Sequence, residues 1–228
     1  RIRTELKAHE ERTLTIPVRG DGLFPPETIQ FSMLFHGRLL RKSLPVKPSP
    51  IASDQWNTLR MTAGKQKDLA AKFRRTTQDG KTVLEIHVSD TTPSASFGKL
   101  HWWDQDCVEL FLDAEPQRIP LKHPTEYHGH VTRLFLLPRA PESERLQIWP
   151  GKDSRLRKTD FPCRFEFSSE GYTIRLTLPA FKNTDFIGFN IVVNDAEGEK
   201  RAERKCAWSS FDSYKDRLSF GSLPLKKQ

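Results

Sequence analysis

The stretch Tyr172-Thr-Ile-Arg-Leu-Thr-Leu178 alternates apolar and polar side chains without a break. Ile174, Leu176 and Leu178 form its apolar set, and threonines and an arginine stand between them. Successive side chains of a β-strand point to opposite faces, so a period of two predicts a strand with one face in a core and one in solvent.

The same period recurs along the chain. It is found in Thr13–Val18, Thr28–Phe35, Leu39–Val46, Thr82–Val88, Cys107–Asp113, Val131–Leu137, Arg164–Phe167 and Ile187–Asn194. The segments Gln78–Lys81 and Ser169–Gly171 have the composition of tight hairpin turns. No segment combines helix caps with a sustained period of 3.6. Many short strands with polar turns predict an all-β fold, namely an antiparallel, jelly-roll-like β-sandwich with extra N-terminal strands.

Composition and charge limit the classes of partner. The 228 residues include 15 Phe and 5 Trp, which is enough bulky material for a packed core. No apolar run approaches the ~20 residues of a membrane-spanning helix, so no membrane partner is expected. The net charge is +8, but the basic residues are dispersed and no RNA-binding signature is present. We therefore expect no nucleic-acid partner, while a site for a polyanion stays an alternative.

The chain is expected to have two parts. Residues 1–50 contain three predicted strands and end in the proline-stiffened linker Lys47-Pro-Ser-Pro50, and residues 51–228 contain the main sandwich. Three strands make a poor independent core, so they are either the end of an immunoglobulin-like domain or strands that pack on the sandwich. The charged first twelve residues contain no signal peptide, which suggests processing or excision from a longer protein.

Cysteine and histidine give little indication of a transition-metal site. Three cysteines allow one disulfide at most, none belongs to a Cys-x-x-Cys pair, and Cys107 has the setting of a small buried apolar residue. His123, His128 and His130 form a cluster in which a His-x-His pair on a strand would share one face, as zinc sites can require. No third ligand is identifiable, so surface or turn histidines are the favoured interpretation.

The segment Trp102–Asp113 has two adjacent tryptophans in a polar loop, followed by a strand that contains Glu109. A flat indole face beside a carboxylate is suited to a sugar, because pyranose rings have flat C–H faces and hydroxyl groups. The alternative is that Trp102 and Trp103 cap the edge of the core. The residues alone favour that alternative.

Six segments in order resemble the family 9 carbohydrate-binding modules that are attached to xylanases, a family related to the DOMON-like sandwiches. They are Leu84–Asp90, Trp103–Asp113, Gly171–Phe181, Ile187–Asp195, Ala207–Ser209 and Phe220–Leu223. The resemblance covers the chain from about Ala52 to Leu225. It implies a β-sandwich that binds an oligo- or polysaccharide such as xylan or cellulose without catalysis. It also implies a secreted or periplasmic bacterial protein, in which the module is an appendage to neighbouring polysaccharide-processing domains.

The resemblance also implies site residues. The family holds a sugar between two tryptophan rings and binds its hydroxyls from a Glu, an Arg and Asn side chains. Trp103 matches the first ring, Glu109 the carboxylate and Arg133 the guanidinium, while Tyr214 replaces the second tryptophan and Asp212 stands where an asparagine is expected. Two alternatives stay open. Glu109 and Arg133 could form an ordinary cross-strand ion pair, and the sandwich could be an interaction module whose sugar binding is lost or altered.

Neither catalytic activity nor haem binding is expected, whereas a structural calcium ion is. The available carboxylates cluster at turns and strand ends instead of forming an identifiable acid–base pair. The two methionines, Met33 and Met61, do not lie in strands that match the axial ligands of related haem-binding sandwiches. The resemblance implies structural calcium, for which Asp90 and Asp106 are the candidate ligands. The alternative is that both aspartates accept backbone hydrogen bonds in turns.

Overall fold

A computed structural model of the chain describes residues 28–35, 38–45, 54–63, 69–91, 98, 100–115, 129–151, 154–181, 184, 186–197, 202, 204–208 and 220–225. Within these ranges the chain forms fourteen β-strands, three single 3₁₀ turns and no α-helix. None of the helical segments found there is long and apolar enough to cross a membrane.

The strands have the following bounds: β1 Thr28–Phe35, β2 Arg38–Pro45, β3 Asn57–Thr58, β4 Arg60–Ala63, β5 Ala70–Gln78, β6 Lys81–Ser89, β7 Cys107–Asp113, β8 Val131–Leu136, β9 Leu146–Trp149, β10 Cys163–Ser168, β11 Gly171–Thr177, β12 Phe186–Asp195, β13 Arg204–Ala207 and β14 Gly221–Pro224. Eight of them confirm predicted strands to within one residue at either end. The remaining predicted strand, Thr13–Val18, lies outside the described residues.

Two antiparallel sheets form the sandwich, which confirms the predicted fold class. One sheet has five strands in the order β10-β11-β6-β5-β3. The other has seven, in the order β4-β13-β12-β7-β8-β9, with β14 also paired to β12. Strands β1 and β2 pair with each other as a separate two-stranded sheet. The division of the chain at residue 50 stays a prediction.

The apolar faces of the two sheets meet in one core. From the five-stranded sheet it takes Phe73, Leu84, Ile86, Ile174 and Leu176, and from the seven-stranded sheet Val108, Leu110, Leu112, Phe189 and Ile191. Trp208 lies between the sheets, with its ring centroid 5.1 Å from that of Phe73 and 5.3 Å from that of Phe189. The prediction that one face of this stretch packs in a core is therefore confirmed, because Ile174, Leu176 and Leu178 are all buried there.

The two predicted hairpin turns are present. Gln78 pairs with Lys81, and the residues between them, Asp79 and Gly80, have φ angles of 49° and 77°. Two central residues with positive φ define a type I′ turn, whose twist matches that of the strands it joins. Gly171, at the end of the second turn, has a φ of 142°, and a Cβ atom there would lie 2.0 Å from the carbonyl oxygen of Val88.

Strand β7 differs from its sequence expectation, which was one core face. All seven of its residues are buried. Val108, Leu110 and Leu112 face the core between the sheets, whereas Cys107 and Phe111 are covered on the opposite side by other aromatic rings. The second face of the strand is thus buried beneath a layer of side chains outside the sandwich. We call this side of the seven-stranded sheet the outer face.

Candidate functional site

The register of the strands places the polar residues of the outer face side by side. In the pairing of β7 with β8, Phe111 is opposite Arg133 and Glu109 is opposite Phe135. On the other side of β7, Cys107 is opposite Asn194 of β12. Glu109 therefore has Arg133 and Asn194 as diagonal neighbours, at a separation that long side chains bridge.

Both carboxylate oxygens of Glu109 accept hydrogen bonds. Oε2 accepts one from Arg133 Nε at 2.8 Å and a second, shorter one from Arg133 Nη2. Oε1 accepts one from Asn194 Nδ2 at 2.5 Å. Glu109 is 4% exposed, so these bonds are shielded from water. The structure thus brings two predicted site residues together and adds Asn194, which the sequence reading had not singled out.

Arg133 is held by aromatic rings as well as by Glu109. Its guanidinium carbon lies 4.5 Å from the ring centroid of Phe135, 5.1 Å from that of Phe111 and 5.5 Å from that of Trp103. Cation–π contacts of this length stabilise a guanidinium. The Arg133 side chain is still 18% exposed. The cross-strand ion pair, which the sequence analysis left open as an alternative, is therefore present, and it lies directly beside the Trp103 ring.

Trp102 and Trp103 occupy a 3₁₀ turn, Trp102–Asp104, that precedes β7. Both are half-buried and lie against Phe135, with ring centroids at 5.2 Å and 6.1 Å. The His101 imidazole is stacked on the Trp103 indole, with 4.8 Å between the centroids and 13° between the planes. The tryptophans therefore cap an apolar cluster as one alternative proposed, but that cluster is on the outer face and not at the edge of the core.

A cavity of ≈ 510 Å³ adjoins these rings, and we call it the cleft. It is lined by Leu100, His101, Trp102, Trp103, Ile148 and Trp149. Its volume is within the range of small-molecule sites, about 300–1,000 Å³. Trp149 was missed by the sequence analysis, because β9 is only four residues long and shows no alternation that could be recognised. Tyr214 and Asp212, the predicted second ring and its polar neighbour, lie outside the described residues.

The two predicted calcium ligands come together at one end of the sandwich. Asp90 follows β6 in one sheet, and Asp106 precedes β7 in the other. Asp195, the last residue of β12, is the third member of the group and was not predicted. All three are buried, with one carboxylate oxygen of each within 4.8 Å of the others. We call Asp90, Asp106 and Asp195 the aspartate triad.

The chemistry of the aspartate triad fits a hard cation. Carboxylate oxygens are the ligands that Ca²⁺ prefers, and the triad brings three of them, all buried, to one place. Asp106 also accepts a backbone hydrogen bond from Ala196 at 3.0 Å, so the turn alternative holds for this residue as well. Burial, followed by the charges of Asp106 and Asp90, raises the pKa of the neighbouring Tyr172 well above its usual range.

The remaining candidates have structural roles where they are described. Cys107, Cys163 and Cys206 are free thiols, and burial raises the pKa of Cys107, which confirms its expected character as a small buried residue. His130 Nε2 lies 3.2 Å from Glu115 Oε1. His123 and His128 lie outside the described residues.

Comparison with known proteins gives a family and a fold. A family model described as "Carbohydrate family 9 binding domain-like" matches residues 51–228. Two solved structures of a family 9 carbohydrate-binding module from Caldicellulosiruptor kristjanssonii are similar. The one in complex with glucose has a TM-score of 0.60 and 20% identity, covering 76% of this chain and 85% of its own. The one in complex with cellotriose has a TM-score of 0.58 and 22% identity, covering 76% and 83%. A search of curated proteins gave no significant match.

Proposed function

The chain belongs to the carbohydrate family 9 binding domain-like family, whose modules bind saccharides without cleaving them, and we propose that it binds a saccharide in the cleft on its outer face. The observation that carries this proposal is the Glu109–Arg133–Asn194 network beside the Trp103 ring. It combines fixed polar groups with an aromatic wall, which is the usual composition of a small-molecule site.

Each part of the network has a role in this proposal. Arg133 has five N–H donors, and two of its nitrogens point at Glu109, so further N–H groups of its partly exposed guanidinium can donate to sugar hydroxyls. Glu109 orients that guanidinium, and Asn194 donates to the other carboxylate oxygen of Glu109. Trp103 contributes a flat face for the C–H side of a pyranose ring, and Tyr214 and Asp212 keep the role that the family resemblance implies, as the second ring and its polar neighbour.

The ligand class and the setting follow from the relatives. The similar structures contain glucose and cellotriose, so we propose an oligo- or polysaccharide of the cellulose or xylan type. We also propose that the module is an appendage of a larger secreted or periplasmic protein, and that calcium bound at the aspartate triad joins the ends of its two sheets. We further propose that the chain cleaves no glycosidic bond, and that Glu109, whose two oxygens both accept hydrogen bonds from neighbours, is an anchor and not a proton donor.

A second function is favoured by one observation. His101 already occupies a face of the Trp103 ring. Together with Tyr214 and Asp212, which differ from the expected residue types, this supports an interaction module in which sugar binding has been altered or lost.

Isothermal titration with cello- and xylo-oligosaccharides separates the two functions. Binding by the full chain, with dissociation constants of about micromolar to millimolar order, supports the proposal if Trp103→Ala and Glu109→Gln remove most of it. Glu166→Gln is the matched control, because that residue is a partly exposed glutamate on the five-stranded sheet. Binding that is absent from the wild type, or unchanged in both site variants, would contradict the proposal.

A further inference from the structure

We propose that Trp149 is an aromatic platform of the cleft, and that the ligand is a linear oligosaccharide extending from the Trp103 side of the cleft across Trp149. The inference rests on the proposed saccharide binding and adds a second contact, together with a preference for chains over single sugars.

Trp149 is the most exposed large apolar side chain of the described residues. Three large apolar side chains are exposed in the described part of the chain: Trp149 at 57%, Phe167 at 46% and Trp56 at 38%. Exposing a whole indole to water is unfavourable, and such rings commonly mark interaction sites.

The rings of Trp56 and Phe167 are contacted by cations or by another ring, whereas that of Trp149 is not contacted in this way by the described residues. Trp56 has Lys72 Nζ 4.8 Å and Arg74 Cζ 4.7 Å from its ring centroid. The ring of Phe167 is stacked on that of Phe165, with a guanidinium 4.9 Å away. For Trp149, no ring or cation contact is formed with any of the described residues. Among the described residues, neither a ring nor a cation covers its indole, and more than half of the side chain is exposed.

Trp149 lies on the same face of the sheet as Arg133. Trp149 pairs with Arg133 in the register of β9 against β8, so the two side chains leave the sheet on the same outer face. Its ring lines the cleft together with His101 and Trp103. Trp103, which contacts the polar network through Arg133, and the exposed ring of Trp149 thus line the same cavity, so a ligand that lies between them is beside both.

Trp103 and Trp149 differ in what a stacking sugar must displace. A sugar that stacks on the face of Trp103 occupied by His101 must displace the imidazole, whereas Trp149 needs no such rearrangement. A cavity of ≈ 510 Å³ is also larger than a single hexose needs. A chain of two or more sugar units would fill this volume and contact both walls.

The test compares ligands of increasing length. Calorimetric titrations with glucose, cellobiose and cellotriose use the wild-type full chain, Trp149→Ala, Trp149→Phe and the control Trp56→Ala, with a thermal melt of each variant to verify folding. We expect Trp149→Ala to weaken cellotriose binding about tenfold, the order of one aromatic contact. Glucose binding should change little, Trp149→Phe should recover part of the loss, and Trp56→Ala should bind like the wild type.

The outcomes separate the inference from the proposed function. If the wild type binds cellotriose and Trp149→Ala binds it equally well, the platform is wrong and the saccharide function stands. Equal losses in Trp149→Ala and Trp56→Ala would also overturn the platform. If the wild type binds none of the sugars, the proposed function fails, and the inference fails with it.

Discussion

Glu109 is a buried carboxylate whose two oxygens accept hydrogen bonds from Arg133 and Asn194. The Arg133 guanidinium is in turn enclosed by aromatic rings. Removing one member of such a network would leave its partners without those hydrogen bonds, which is costly for groups as buried as Glu109 and Asn194. At the scale of single residues, the outer face therefore presents an arginine whose orientation is already determined.

The stacking of His101 on Trp103 leads to a prediction at the same scale. Replacing His101 with alanine removes a ring that competes with the ligand, so affinity for cellotriose should rise. A pair of aromatic rings contributes ~0.5–1.5 kcal/mol, which sets the increase at tenfold or less. Calorimetric titration of His101→Ala measures it, and His87→Ala, on the five-stranded sheet, serves as the control. Weaker binding would show instead that the imidazole contacts the sugar.

Two glycines in hairpins give a prediction at the scale of elements. Gly171 has a φ of 142°, and a Cβ there would lie 2.0 Å from the Val88 carbonyl oxygen, whereas a Cβ on Gly80 meets nothing within 4 Å. Gly171→Ala must therefore push β11 away from β6 and should cost more than about 3 kcal/mol of unfolding free energy. Gly80→Ala should cost about 1 kcal/mol, because only the φ of 77° is unfavourable. Urea unfolding of both variants is the measurement, and equal losses would contradict this account.

The strands also show which parts of the fold can be predicted from the sequence alone. Strands with a sustained period of two, such as β7 and β11, were predicted because one face of each packs in the core. The short strands β3, β4 and β14 have two to four residues, too few to show a period. The choice of Glu109 and Arg133 as site residues came from the family resemblance, since the register of β7 against β8 is a property of the folded sheet.

Trp149 and Asp195 were missed for a related reason. Each is the last residue of a strand, and its importance depends on residues far away in sequence. Trp149 becomes significant only when β9 lies beside Arg133. Asp195 becomes significant only when the two sheets bring Asp90 and Asp106 to the same end of the sandwich.

The aspartate triad concerns the whole molecule, because its members follow, precede or end strands of both sheets. If calcium binds only the folded chain, it must stabilise that state in proportion to its occupancy, by about 2.7 kcal/mol at a hundredfold excess over the dissociation constant. We expect millimolar calcium to raise the melting temperature relative to EDTA. Asp195→Asn should reduce the difference, whereas Asp79→Asn, an exposed turn aspartate, should preserve it. Melting curves that coincide in calcium and EDTA would count against the site.

The measurement that tests the central claim most directly is a titration of the full chain with cellotriose, followed by the indole N–H signals of its five tryptophans in ¹H–¹⁵N NMR spectra. Binding in the cleft predicts that the Trp103 and Trp149 signals shift together with the same dissociation constant. The signals of Trp56, on the five-stranded sheet side, and of the buried Trp208 should stay in place. Unchanged Trp103 and Trp149 signals at millimolar cellotriose, or shifts confined to Trp56, would contradict saccharide binding at the outer face.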